Sequence, residues 1–179
     1  MGIVKKLFFL MLIGASSLIL SQTKAKVIGI KDGDTILVLD QDNNQVTLRL
    51  AEIDCPEKGQ PFGKNAKQFT SDLVYGKQIQ YYKTNSDRYG RIIAKVYFNN
   101  DQYLSEKIIK EGFGWWYYQY SDNQNLGVLE SKARSLKLGL WSGSGTVSPW
   151  EWRKAKRAAY QERKAKAKLS SISLKEISK

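Results

Sequence analysis

Three short β-prone runs crowd the start of the chain, and they constrain its fold more than any other feature. Lys26–Ile30 and Ile36–Leu39 flank the turn Asp32-Gly33-Asp34. Gln45–Ala51 follows after the polar turn Gln41–Asn44. This third run alternates strictly, with Val46, Leu48 and Leu50 on one side and Thr47 and Arg49 on the other. That is the period-2 pattern of a half-buried strand, and tight turns between such runs make a meander. Phe62–Tyr75 then changes to helical spacing through Phe62, Ala66, Phe69, Leu73 and Val74, and stops at Gly76. Gln78–Lys83 and Ile92–Phe98 read as two more strands around a turn containing Gly90. Leu104–Lys110, closed by Gly112, and Leu126–Leu138, followed by Gly139, read as helices.

The order β-β-β-α-β-β-α-α predicts an α+β domain, a five-stranded Greek-key β-barrel of the OB type with three helices. OB folds often hold oligonucleotides, but a fold alone does not assign a function.

Two segments flank this domain. Residues 1–21 carry Lys5 and Lys6 before an apolar run of 14 residues, Leu7–Leu20, with Ser21 and Ala25 as cleavage points. The run is short for a membrane span of about 20 residues and reads as a signal peptide. The expected location is secreted, periplasmic or at the cell surface, with membrane contact only if the segment stays uncleaved. Ser142–Pro149, SGSGTVSP, reads as a linker between a domain at 22–141 and a basic helical extension at 150–179. The net charge of +12 is unevenly spread: residues 151–179 hold 10 basic and 3 acidic residues, whereas 22–150 hold 17 and 14. Apolar residues are sparse in the extension, so it reads as a polyanion-binding surface rather than a second domain. Its position beyond the barrel predicts that the extension stays clear of the domain's functional site and that a chain ending at Ser148 still folds and keeps its activity.

The residue inventory narrows the chemistry. There is no His and one Cys. A histidine base, a Ser-His-Asp triad, His-ligated metals and an internal disulfide are all excluded. Metal chemistry must use oxygen ligands, which points to Ca²⁺ or Mg²⁺. Asp40-x-Asp42-x-Asn44 resembles the start of an EF-hand loop, but Gln45 and Ala51 stand where Gly and Glu are required. It reads as a polar hairpin turn.

Three blocks carry the chemistry: Asp32-Gly33-Asp34-Thr35, then Arg49-Leu50-Ala51-Glu52-Ile53-Asp54-Cys55-Pro56-Glu57, then Asp87-Arg88-Tyr89-Gly90-Arg91. Phosphodiester hydrolysis needs a cation to screen phosphate, a base for water and donors for developing charge. Asp34 and Asp54 offer hard carboxylate oxygens. Lacking His, the chain has a carboxylate as its natural base. Arginines can fork onto phosphate oxygens and stay charged at pH 7.

In their order and distances the three blocks resemble the staphylococcal nuclease (thermonuclease) family over about Val27–Trp141. The resemblance implies Ca²⁺ held by Asp34, Asp54 and the backbone carbonyl of Thr35. It implies Glu57 as general base, and Arg49 and Arg91 on the scissile phosphate. Tyr89, Tyr118 and Tyr120 fall where the family meets the nucleotide, and Arg88 beside them could add a phosphate contact. DNA and RNA are the implied substrates, single strands preferred, with 3′-phosphate products and no obligate protein partner evident. The alternative is an OB-fold module that binds nucleic acid or protein without cutting. Asp32 either tunes the site at one remove or only shapes its turn. Cys55, flanked by Asp54 and Glu57, reads as a packing residue. The run Trp115-Trp116-Tyr117-Tyr118-Gln119-Tyr120 must divide its rings between core and surface. The connection from Glu57 to the first helix is shorter than in the best-known relative, and it borders the site.

Overall fold

The computed structural model describes residues 22–177; the expected signal peptide at 1–21 lies outside the described residues. The elements are β1 (Gln22–Asp32), β2 (Thr35–Leu39), β3 (Gln45–Leu50), β4 (Ile53–Asp54), α1 (Gly63–Val74), β5 (Gln78–Ser86) and β6 (Ile92–Phe98). They continue through β7 (Gln102–Tyr103), α2 (Leu104–Lys110), β8 (Trp115–Trp116), α3 (Gln124–Ser135) and α4 (Pro149–Ile177). Short 3₁₀ turns occupy Tyr118–Tyr120 and Gly139–Ser142.

The strand order is β3-β2-β1-β5-β6, and a β3–β6 pairing closes it into a five-stranded barrel. That closing pair is parallel, Leu48 opposite Ile92 and Leu50 opposite Ala94, while the other barrel pairs are antiparallel. Strand β1 serves two neighbours: Gln22–Lys26 pair with β5 and Lys26–Asp32 with β2. Irregularities between Val27 and Gly29 and between Ile30 and Asp32 bend it from one partner to the other, the usual role of a bulge at a barrel corner. Closure removes the sheet edges that invite aggregation.

Alternation fills the barrel as expected. Val27, Ile36, Val38, Leu48, Leu50, Ala94 and Val96 point inward, capped by Ala66 and Val74 of α1, Leu104 and Ile108 of α2 and Leu126 of α3. A second cluster forms outside it from Trp115, Ala133, Leu140 and Trp141, with Phe62, Leu138 and Trp150 packed against it. Trp150 thereby ties the first turn of α4 to the domain. The Asp40 turn is a polar hairpin turn, with Asp40 Oδ1 accepting from the backbone N–H of Asp42 and Asn44.

Two features position the site. Glu52 turns the chain after β3 with φ of 68°, a conformation that costs a non-glycine residue about 1–2 kcal/mol. The turn is held from several sides. The Glu52 carboxylate accepts from the Tyr103 and Ser121 hydroxyls, and the carbonyl of Ala51 accepts from the Ser105 hydroxyl. Beyond it, Ile53 and Asp54 pair with Trp116 and Trp115, and Glu52 accepts the N–H of Tyr117.

Candidate active site

A cleft of about 700 Å³ opens where the ends of β1, β2 and β3 meet the β5–β6 turn. Asp34, Arg49, Asp54 and Glu57 line it, and so do Arg88, Tyr89, Arg91 and Tyr120. Thr35 and Tyr118 do not reach its wall; Tyr118 is exposed beside Trp150.

Asp34 and Asp54 are both buried. Gly33 brings the Asp34 turn hard against α1, where Thr70 donates its hydroxyl to the Gly33 carbonyl at 2.6 Å. Asp34 Oδ2 accepts the backbone N–H of Cys55 at 2.6 Å, and Oδ1 accepts the Thr35 hydroxyl at 3.1 Å. Burial pushes the Asp34 carboxyl up to about 8; Arg49 opposes that rise, while Asp32 and Asp54 add to it. Asp32 therefore acts on Asp34 at short range, and its Oδ1 also accepts the Asp34 N–H. Cys55 is buried, and its thiol is pushed up by desolvation and by the charge of Asp34. It packs rather than reacts.

The Arg49 guanidinium sits between the two carboxylates. Its Nη1 donates to the carbonyls of Leu50 and Ile53, both at 2.8 Å. Its Nη2 lies 2.9 Å from Asp54 Oδ1 and 3.1 Å from Asp34 Oδ2. Two acidic oxygens thus converge on one cationic atom, the donor arrangement a hard divalent ion accepts. Among the described residues no group of three or more acidic, Cys or His side chains gathers to hold an ion. The remaining ligands would come from a carbonyl, water and substrate.

The turn Asp87–Arg91 is self-supporting. Asp87 Oδ1 accepts the backbone N–H of Tyr89 and Arg91, and its Oδ2 accepts Arg91 Nε at 2.7 Å. Gly90 takes φ of 77°, which glycine adopts without penalty. Desolvation works to raise the Asp87 carboxyl, but hydrogen bonds from Arg91 and Tyr89 outweigh it and hold the group below its ordinary value. Arg88 and Arg91 both lie over the ring of Tyr89, at 5.0 and 5.8 Å from its centre. Tyr89 is 70% exposed.

Glu57 is partly exposed, and its loop is tied down. Gln60 Oε1 accepts the Glu57 N–H, and Gln60 Nε2 donates to the Val147 carbonyl at 2.7 Å. Val147 belongs to the segment expected to be a plain linker. The expectation that the extension stays clear of the site also fails at its first turn. Arg153 donates from Nη1 to Glu57 Oε1 and from Nη2 to Asp54 Oδ2, both at 2.7 Å. The reason is local. Ser148 and Glu151 form a reciprocal cap that starts the helix at Pro149, with the Ser148 hydroxyl donating to Glu151 Oε2 at 2.6 Å. Trp150 stacks on Tyr117 at 5.8 Å and 3°. The cap was readable in Ser148-Pro149-Trp150-Glu151; nothing in a run of lysines and arginines marks Arg153 as the one that turns inward.

A model of the family described as staphylococcal nuclease homologue matches residues 47–143. That span holds Arg49, Asp54, Glu57 and Arg91, and it excludes Asp34 and Arg153. Curated relatives include an uncharacterized endonuclease of Haemophilus influenzae, 37% identical over 74% of this chain and 74% of its own length. An uncharacterized endonuclease of Escherichia coli is 39% identical over 73% of this chain and 85% of its own. The micrococcal nuclease of Shigella flexneri is 36% identical over 76% of this chain and 83% of its own.

Proposed function

The chain belongs to the staphylococcal nuclease family and is a nuclease, and we propose that it is an exported, Ca²⁺-dependent one that cuts single-stranded DNA and RNA best and leaves 3′-phosphate ends. The observation that carries the reading is the convergence of Asp34 and Asp54 on one cationic position, with Glu57 and Arg91 on the same cleft. A module that only binds nucleic acid has no need of two buried carboxylates beside a tethered third.

The ion, held by Asp34 and Asp54, would screen the phosphate and stabilise the charge gathered on it; the Thr35 carbonyl, the third ligand the resemblance implies, lies behind the cleft wall next to Asp34. Glu57 takes a proton from the attacking water, the task left to a carboxylate in a chain without His. Arg91, oriented by Asp87, donates to phosphate oxygens. Arg49 keeps Nη1 on its two carbonyls, and its Nη2 turns to phosphate once the carboxylates have another cation. Tyr89 and Tyr120 offer faces on which bases of an open strand can stack, a contact worth about 1–3 kcal/mol per base. A duplex, whose bases are already stacked, gains less from them. Export rests on the basic start and apolar run of residues 1–21.

The test is cleavage of denatured DNA by the purified protein with Ca²⁺, with Mg²⁺ and with chelator. Ca²⁺ should support strong cleavage and Mg²⁺ little, because Mg²⁺ demands octahedral geometry and holds its waters. Full activity in chelator would sink the assigned site.

A further inference from the structure

Arg153 reaches the cleft from 99 positions beyond Asp54, and it arrives on a rigid mount. Behind it lie the Ser148–Glu151 cap, the stacked Trp150 and Trp152 beside Gln60–Phe62. A side chain that merely drifted onto two carboxylates would need none of this. Sites built on braced elements hold their geometry where loops do not. After Arg153 the helix is exposed from Lys154 to Leu169, so the bracing ends where the arginine does.

The guanidinium's present partners are the two groups that the proposed chemistry calls elsewhere. Asp54 is required by the ion and Glu57 by water. Arg153 cannot become neutral, because a guanidinium stays cationic at any pH at which the protein folds. Once released it needs another anion at the same place. The anion that enters is the phosphodiester.

Charge points the same way. Six acidic residues line the cleft, and with Arg153 there are five basic ones. A divalent ion then leaves it with one positive charge in excess, matched to one phosphodiester. Without Arg153 the ion-loaded cleft would be neutral before substrate arrives, and the bound state would carry an uncompensated negative charge that grows as the reaction proceeds.

We propose that Arg153, supplied by α4, is a third arginine for the scissile phosphate beside Arg49 and Arg91, which leaves Asp54 and Glu57 and grips that phosphate when ion and nucleic acid bind. The proposal rests on the nuclease reading and extends it to a residue outside the matched family span.

The test uses the full chain and its Arg153→Ala and Arg153→Lys variants, on a dinucleotide, which has one internucleotide phosphate, and on a long single strand. Arg153→Ala should lower kcat about 10²–10³-fold on both substrates, the range for losing one donor to developing charge. Arg153→Lys should recover part of the loss, having charge without the fork. Calorimetric Ca²⁺ affinity should be unchanged or tighter in Arg153→Ala, since a competing cation has gone. Several results overturn the proposal. A loss confined to KM on the long strand would make Arg153 a general polyanion contact, and faster cleavage by Arg153→Ala would make it a plug. Unchanged kcat with a lower melting temperature would make it structural, and Ca²⁺ binding weakened more than tenfold would make it part of the ion site. If wild type itself fails to cut in Ca²⁺, the calcium reading of the site fails and this proposal with it; if wild type cuts and Arg153→Ala cuts equally well, only this proposal fails.

Discussion

Replacing Gly33 by alanine should damage both stability and the ion site, and the size of the effect can be worked from neighbouring atoms. The φ of Gly33 lies outside the left-handed region, so alanine brings no backbone strain there. The obstacle is space. A Cβ at this position would stand 2.7 Å from Cys55 Cβ, 2.9 Å from Ala66 Cβ and 3.0 Å from Cys55 Sγ. Carbon atoms pack at about 3.5–4.0 Å, so the turn must retreat by roughly 0.8 Å. Retreat opposes the 2.6 Å bonds from Thr70 to Gly33 and from Cys55 to Asp34. Overpacking of this kind costs about 1–3 kcal/mol, a fall in melting temperature of roughly 3–9 °C for a domain of this size. Displacing a reacting group by about 1 Å costs on the order of 10² in rate, so Ca²⁺ affinity and turnover should fall further than stability implies. Denaturant unfolding with the ion chelated measures the first effect, and calorimetric Ca²⁺ titration with steady-state cleavage the second. Adding Ala66→Gly should return part of the stability, because it removes one of the two close carbons; Cys55 Cβ, the nearer one, remains. A loss below about 0.5 kcal/mol with unchanged Ca²⁺ affinity would refute the close-packing account, since only a freely yielding turn could give it.

Asp34→Asn should alter the pH dependence of stability in chelator. The folded carboxyl is raised from 3.8 to about 8, so its contribution is fully present below the unfolded value and is lost as pH rises through the folded one. The stability of wild type minus that of Asp34→Asn should therefore decline between about pH 4 and pH 8; a difference that stays flat or climbs contradicts the burial of Asp34. Ser148→Ala removes the helix cap of α4 and should cost about 1 kcal/mol, read by thermal unfolding. Because the same turn carries Arg153, turnover should fall too, and a stability loss with untouched turnover would separate the cap from the site. A stop after Tyr160 deletes six basic and two acidic residues while leaving the braced turn intact. Dinucleotide cleavage should persist, and the log–log salt slope for a long single strand should flatten by roughly 2–3, at about 0.7 per phosphate contact; equal slopes would remove the tail from nucleic-acid binding.

Where local pattern and tertiary packing agree, the sequence was enough. β6 and α2 coincide with the expected Ile92–Phe98 and Leu104–Lys110, because alternation and a glycine stop speak for the residues they govern. β1 begins at Gln22 rather than Lys26, since Gln22, Thr23 and Lys24 become strand only by pairing with β5. α3 runs Gln124–Ser135 instead of Leu126–Leu138 because Lys137, with φ of 53°, has already left the helix. β4 and β8 are two residues each and have no period to read; they exist because two distant segments meet. The blocks of the cleft were legible as blocks, and Asp34, Arg49, Asp54, Glu57 and Arg91 do line one cleft. Two facts were out of reach. Gly33 looks like an ordinary turn glycine, whereas it is an absence of volume between Cys55 and Ala66. Arg153 is one of ten basic residues in the last 29, and only the cap and the tryptophans, acting in three dimensions, choose it.

The pairing of Ile53–Asp54 with Trp115–Trp116 also orders events during synthesis. A chain is made from its N-terminus, and early segments can begin to fold while later ones are still unmade. Asp34, Arg49, Asp54 and Glu57 all emerge before residue 60, but the strand that fixes Asp54 arrives some sixty residues later and the arginine that caps the cleft about forty after that. Contacts between such distant parts form late, because a long loop must close first. The cleft therefore cannot be completed before the first turn of α4 has been made, and a shorter chain carries Asp34, Arg49, Asp54 and Glu57 without the contacts that hold them in place. A chain that stops short of residue 115 holds these four residues without even the strand that fixes Asp54.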